Sequence, residues 1–214
     1  MLKDNKKDIS ERELENSFIS LISHKIKLLV VGGGNAAYIK VKNFIKRGCS
    51  ITVVSKAFIK ELKNLEDLSN IKLIQGEYKK EYIKEHHLVV IATNDLKLNE
   101  IIRQDCDDIN KLYMDCSEPE QGLYIVPYQK ASRVFSLSIK TNEKSPKTSK
   151  YILDKAMMYL KKYEDFSEYT AKIRNKIKVS SKREVMSFIC SDDFYFFYNK
   201  GKADIVLQIF YREL

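Results

Sequence analysis

"LLVVGGGNAAYIKVKNFIKRGCSITVVS", residues Leu28 to Ser55, is the stretch whose reading decides the fold. Lys25 to Val31 ends in an apolar run that stops at three glycines, the pattern of a strand covered on both faces. From Asn35 to Arg47 the period changes. Ala36, Ile39, Val41 and Phe44–Ile45 make a broad stripe at helical spacing, and Gly48 stands where helices commonly end. Ile51 to Val54 reads as a second buried strand. Gly32, Gly34 and Ala37 therefore form G-x-G-x-x-A at a strand-to-helix turn. The first glycine permits the tight turn, the second lets a diphosphate approach the backbone, and the small third residue lets helix and strand pack closely. The exposed amides that start the helix are then a seat for phosphate.

In such a motif an acidic residue about 20 positions further on grips the ribose. Here that region is "VVSKAF". Ser55 can hydrogen-bond a ribose hydroxyl and Lys56 can tolerate a 2′-phosphate, so the residues alone leave NAD and NADP open. Gly32, Gly33, Gly34, Asn35, Ala36, Ser55 and Lys56 are the candidate cofactor contacts on this side.

The alternation continues outward. A short helix is expected over Phe58 to Leu68, a strand in "IKLIQG", a strand over His86 to Thr93, a helix over Asp95 to Cys106 capped by Asn94 or Asp95, and a fifth strand in "KLYMDCS". Strands alternating with helices imply a parallel sheet with right-handed crossovers. Then the pattern changes. "LYIVPY" and "RVFSLSIKT" are strand-like and close together, and the second alternates strictly, as an antiparallel extension would. Ser145 and Pro146 suit the cap and first position of a helix. From there to Leu214 the spacing is helical, with breaks near Ser180–Ser181 and Asn199–Gly201. The expected class is α/β: a Rossmann-like parallel sheet, a small antiparallel extension and a helical C-terminal domain.

Composition narrows the function. The chain has 214 residues and a 44% hydrophobic fraction, enough for a packed core. No apolar run approaches the ~18 residues that span a bilayer, and the opening "MLKDNKKDISERELEN" has no apolar signal core, so a cytoplasmic place with no membrane partner is expected. Cys49, Cys106, Cys116 and Cys190 are scattered without a CxxC pair, which speaks against a zinc site or disulfide framework. No dedicated metal site is expected. The net charge of +9 favours an anionic partner.

Taken together, the glycine turn, "LVVIATNDLKLNE", "EPEQGLYIVPY" and the strand before "SP" resemble the siroheme synthase N-terminal family of precorrin-2 dehydrogenases, some of which are also sirohydrochlorin ferrochelatases. The resemblance runs from about Phe18 to the C-terminus and looks like the stand-alone form. It implies NAD-dependent oxidation of precorrin-2 to sirohydrochlorin, on the way to siroheme or cobalamin. It also implies a homodimer, with an NAD-binding domain over 1–127, a dimerisation region over 128–150 and a helical domain over 151–214. Family members commonly lack the ribose carboxylate, which makes Ser55 unexceptional. Thr93 and Asn94, in "ATND", match a loop beside the cofactor. The eight carboxylates of the tetrapyrrole suit a basic cleft.

Two departures from the family stand out. An aspartate is common two residues before the proline matching Pro119; this chain has Ser117 there. Asp115 lies two residues earlier on the same strand face, displaced by roughly 7 Å. It is the expected replacement base if the strand ends in a bulge; a hydrogen-bonded strand-end carboxylate is the plainer reading. Thr141 matches a family serine and keeps its hydroxyl, while Asn142 and Glu143 replace two glycines. Asp115, Ser117 and Thr141 are thus the candidate catalytic residues.

Other features have plainer readings. His86 and His87 suit packing, and His24, just before the first strand, is a minor candidate on the cofactor side. The aromatic run Phe188 to Tyr198 reads as helical core, and the basic run Lys172 to Arg183 as a solvated face. A degenerate tetrapyrrole- or NAD-binding protein is one alternative. An NAD-responsive DNA-binding regulator is another, but no helix-turn-helix precedes the glycine turn, so no nucleic-acid partner is expected.

Overall fold

A computed structural model describes residues 17–141, 145–177 and 182–211. The chain divides into two compact units, Met1–Ile125 and Val126–Leu214.

In the first unit five parallel strands form one sheet: β1 (Lys27–Val31), β2 (Ser50–Ser55), β3 (Ile71–Gln75), β4 (Leu88–Ile91) and β5 (Leu112–Asp115), in the order β3-β2-β1-β4-β5. Helices α1 (Asn35–Ile45), α2 (Lys60–Lys63), α3 (Glu81–Lys84) and α4 (Leu96–Asp107) make the connections. Leu28, Leu29 and Val30 on β1 and Val89, Val90 and Ile91 on β4 are fully buried, as central strands covered on both faces must be. Each such side chain contributes about 1.5–3 kcal/mol of burial. The strand order reverses between β1 and β4, so the carboxyl ends of these two strands border the crevice in which open α/β sheets bind ligands.

The expected end of the first helix is present, and other elements are adjusted. Gly48 follows α1 with φ +82°, a conformation glycine reaches without strain. The helix expected over 58–68 is a single turn, because Leu65, Glu66 and Leu68 donate to carbonyls three residues back, tightening the chain out of the α-helix. Helix α3 is one turn long and too short for a periodic signal. "LYIVPY" is not a strand: Pro127 has no amide to donate, and the ladder starts only at Tyr128.

In the second unit, β6 (Tyr128–Ala131) and β7 (Ser136–Ile139) pair antiparallel, with Leu137 and Ile139 half-buried and Ser136 and Ser138 exposed. Helix α5 (Pro146–Leu160) starts on its proline as expected. The Ser145 hydroxyl, however, pairs with that of Thr148 at 2.7 Å instead of capping an amide. Then follow a 3₁₀ turn (Lys161–Tyr163), α6 (Glu164–Lys176), α7 (Lys182–Ile189), α8 (Asp192–Asn199) and α9 (Ala203–Phe210). Phe194 is fully buried among the rings of Phe166, Tyr169 and Phe188, so most of the aromatic run is core; Phe196 and Phe197 remain exposed. Lys172, Arg174 and Lys176 are exposed beside buried Ile173 and Ile177, the solvated face of a helix. Gly201, at φ +66°, makes the expected break after α8. The expected break at Ser180–Ser181 and the residues Asn142 and Glu143 lie outside the described residues. Among the described residues, no helix is long and apolar enough to cross a membrane.

Two histidines hold structure, and His87 Nδ1 accepts from the Lys27 amide at 2.9 Å. His86 is buried: its Nδ1 donates to the Tyr82 carbonyl at 2.6 Å, and Nε2 accepts from the Thr52 hydroxyl at 3.0 Å. Burial holds its pKa below the ordinary histidine value, against the opposing effects of the Tyr82 carbonyl and Glu85. The unfolded chain therefore takes up this proton at higher pH than the native one. The contribution is fully present above about pH 6.5 and is lost as pH falls through the lowered native pKa. Melting temperature should accordingly fall as pH drops from 7 to 5, with a shallower slope in His86→Gln; equal slopes in thermal melts would remove His86 as a source.

Candidate dinucleotide site

The chain leaving β1 has no room for side chains. Gly32 has φ +126°, and a Cβ built on it would stand 2.2 Å from the Ala92 carbonyl oxygen at the end of β4. A Cβ on Gly33 would meet the Ala57 oxygen at 2.0 Å. Gly34 differs: a Cβ there meets nothing within 4 Å, and as the N-cap of α1 it offers no side chain to the helix's first amides. Those amides open into a cavity of about 730 Å³, within the usual ~300–1,000 Å³ range of ligand pockets. Ala37 is fully buried, closing the helix against the sheet. A bare helix N-terminus behind a glycine with open space on its Cβ side fits a dinucleotide's diphosphate.

The cavity crosses the carboxyl ends of several strands. The turn Gly32, Gly33 and Gly34 with Asn35 and Ala36 forms its centre. Ser55 and Lys56 border it after β2, Thr93 and Asn94 after β4. All nine residues that the sequence singles out for cofactor contact therefore meet in one space. Glu77, after β3, and Asp95, which caps α4 by accepting from the Lys97 and Leu98 amides, also line it. Sequence reasoning missed Glu77, because β3 comes alongside β2 only through sheet pairing.

The wall formed by Thr93 is held from behind. The Ser117 hydroxyl donates to the Thr93 carbonyl at 3.1 Å, and Asn99 Nδ2 donates to the same oxygen at 3.2 Å. The Thr93 hydroxyl bonds Asn99 Oδ1. Asn99 itself is fully buried. Behind this lies Asp115, its side chain wholly buried. One oxygen accepts from the Ser117 and Glu118 amides at 2.8 and 3.0 Å, and the other binds Arg103 at 2.6 Å. Arg103 also reaches Glu118 at 2.9 Å.

Asp115 has the geometry of the plainer reading, a hydrogen-bonded strand-end carboxylate. No bulge turns it outward; its carboxylate folds back on the next two amides and is neutralised by Arg103, and neither it nor Ser117 lines the cavity. Both are tied to the Thr93 wall. Thr141, in the second unit, pairs with the Ser149 hydroxyl at 3.0 Å. His24 is not on the cofactor side. It lies in a 3₁₀ turn (Ser23–Lys25) before the amino end of β1, and its Cβ is 4.0 Å from the Cβ position of Gly48, beyond the far end of α1. The five residues of β1 put roughly 17 Å between that end and the glycine turn. Among the described residues no group of three or more His, Cys, Asp or Glu is placed to hold a metal ion.

The fold and this cavity define a Rossmann-type dinucleotide-binding protein. A family model described as "Putative NAD(P)-binding" matches residues 19–128, half of the chain, and the chain belongs to this family, that of the siroheme synthase N-terminal part. A precorrin-2 dehydrogenase of Priestia megaterium is 27% identical over 173 residues, 78% of this chain and 85% of that protein. A siroheme synthase of Actinobacillus succinogenes is 26% identical over 72% of this chain but only 33% of its own length, so the chain spans about a third of that longer relative. The solved structure of SirC, a precorrin-2 dehydrogenase, aligns with TM-score 0.66 and 25% identity, over 90% of this chain and 98% of that one. The cofactor is NAD.

Two outcomes separate packing from binding. Gly34→Ala should leave the melting temperature unchanged and weaken NAD binding about tenfold, a loss of about 1.4 kcal/mol. Gly33→Ala should lower the melting temperature, since its Cβ collides with backbone. Equal effects of the two in calorimetric titration and thermal melts would contradict this division. Asp115→Asn, which breaks a buried ion pair, should cost about 3 kcal/mol of stability, read by denaturant unfolding. A stable variant with a selective loss of turnover would instead restore Asp115 as a base.

Proposed function

We infer that this chain oxidises precorrin-2 to sirohydrochlorin, with NAD as the hydride acceptor. The observation that carries this reading is the uncapped start of α1, open to a cavity across the strand ends, in a chain with the length and fold of a precorrin-2 dehydrogenase. The oxidation removes a hydride and a proton from the macrocycle, the proton passing to water. NAD, when bound, supplies the carbon that takes the hydride.

The chain's own part is binding and orientation. The amides at Gly34, Asn35 and Ala36 seat the diphosphate, with the helix dipole adding attraction for its charge. Ser55 and Lys56, at the end of β2, would hold one half of the dinucleotide, and Thr93 and Asn94, after β4, the other. Thr93 must stay in place for a hydride to pass over a short distance, since small misplacements of reacting groups cost large factors in rate. Ser117, Asn99 and Asp115 provide that rigidity, so we assign Asp115 and Ser117 a positioning role.

A homodimer is part of this proposal. Helix α5 exposes Tyr151, Ile152, Met158 and Tyr159, an apolar stripe on the same unit as the two-stranded β6–β7 sheet, and unpartnered apolar faces of this kind mark interfaces.

The purified protein, given precorrin-2 and NAD, should produce the absorbance of sirohydrochlorin with one NADH formed per macrocycle, and the active species should sediment at twice the chain mass. Absence of NADH and sirohydrochlorin would reject the enzyme. Adding ferrous or cobaltous ion as substrate in a second step reads chelation separately, by the appearance of metallated product.

A further inference from the structure

The carboxylate missing from the end of β2 is present in the cavity, delivered by the neighbouring strand. Ser55 pairs in register with Gln75, and the Gly76 amide donates to the Ser55 carbonyl at 2.9 Å. The Gln75 side chain reaches the Lys56 carbonyl at 3.4 Å. These bonds bring the exit of β3 beside the exit of β2, and the next residue, Glu77, lies on the cavity with Lys56. Glu77 Oε1 and Lys56 Nζ are 3.1 Å apart, with both side chains about three-quarters exposed.

An exposed pair of this kind adds little to stability, so its value lies in what it presents to the cavity. In a Rossmann site the half of the dinucleotide held at the end of β2 would carry the adenosine ribose. Its vicinal hydroxyls are two donors, and a carboxylate accepts from both. A 2′-phosphate in the same place removes one donor and adds about two negative charges beside Glu77. Lys56 would attract that phosphate if it stood alone, but it is already held by Glu77. The cation at the end of β2 that a 2′-phosphate would need is thus paired with the anion that opposes it.

We propose that Glu77, held by Lys56, is the ribose-binding carboxylate of this chain and sets its preference for NAD over NADP. The assignment rests on the reading of the cavity as a dinucleotide site. It makes Lys56 a positioning residue, not a phosphate receptor.

The test is calorimetric titration of the full chain with NAD and with NADP, with no substrate present. The wild-type chain should bind NAD at least tenfold more tightly. In Glu77→Gln that ratio should fall about tenfold, because NAD loses an acceptor and Lys56 is released toward the 2′-phosphate; Glu77→Lys should bring it to one or below. Lys56→Ala should weaken NAD and leave NADP no tighter. Both positions are exposed, so unchanged melting temperatures check that the variants fold. A ratio unmoved in Glu77→Gln and Glu77→Lys, while wild type still binds NAD, overturns the role of Glu77 and leaves the cavity reading intact. Binding of neither dinucleotide by wild type overturns both.

Discussion

Between the ends of β1 and β4 the backbone of Gly32 runs against the Ala92 carbonyl so closely that a single carbon would fill the gap. Parallel neighbours in a sheet leave their carboxyl ends side by side, and two chains must depart from the same edge at once. If the chain leaving β1 carried a side chain there, it would be pushed away from β4 and α1 would begin elsewhere. With glycine the turn stays low, Gly33 tucks under Ala57, and the first amides of α1 stand at the floor of the crevice. The bare helix end stands at the strand-order reversal, beside the cavity, because the turn is that tight.

A second layer stiffens one wall. Arg103, Asp115, Ser117 and Asn99 form a chain of charge-assisted and neutral hydrogen bonds that ends on the Thr93 carbonyl. A buried carboxylate is costly unless it is paired and its oxygens are filled, and here both conditions are met. Chemistry at the cavity is thereby separated from the charge that supports it. The Ser117 hydroxyl serves that support by donating to the Thr93 carbonyl.

Much of this was legible in the chain. The central strands announced themselves by unbroken apolar runs, α1 and α4 by their stripes, and the diphosphate seat by glycines between strand and helix. Short elements were not legible: α2 and α3 are single turns, below the length at which a period can be read, and the onset of β6 depended on where Pro127 stops obstructing the ladder. His24, adjacent in sequence to the strand that ends at the site, proved to lie at its opposite end.

The sequence by itself determined the sheet, the glycine turn and the class of ligand, because these rest on local periodicity and on residues a few positions apart. Only the tertiary structure decided where Asp115 and Glu77 stand and what they pair with. The Asp115 carboxylate is claimed by an arginine on a helix that packs across β5, and Glu77 comes to the cavity on a strand that register alone sets beside β2. Side-chain roles of that kind follow from which elements become neighbours when the core closes, and spacing along the chain does not carry that information.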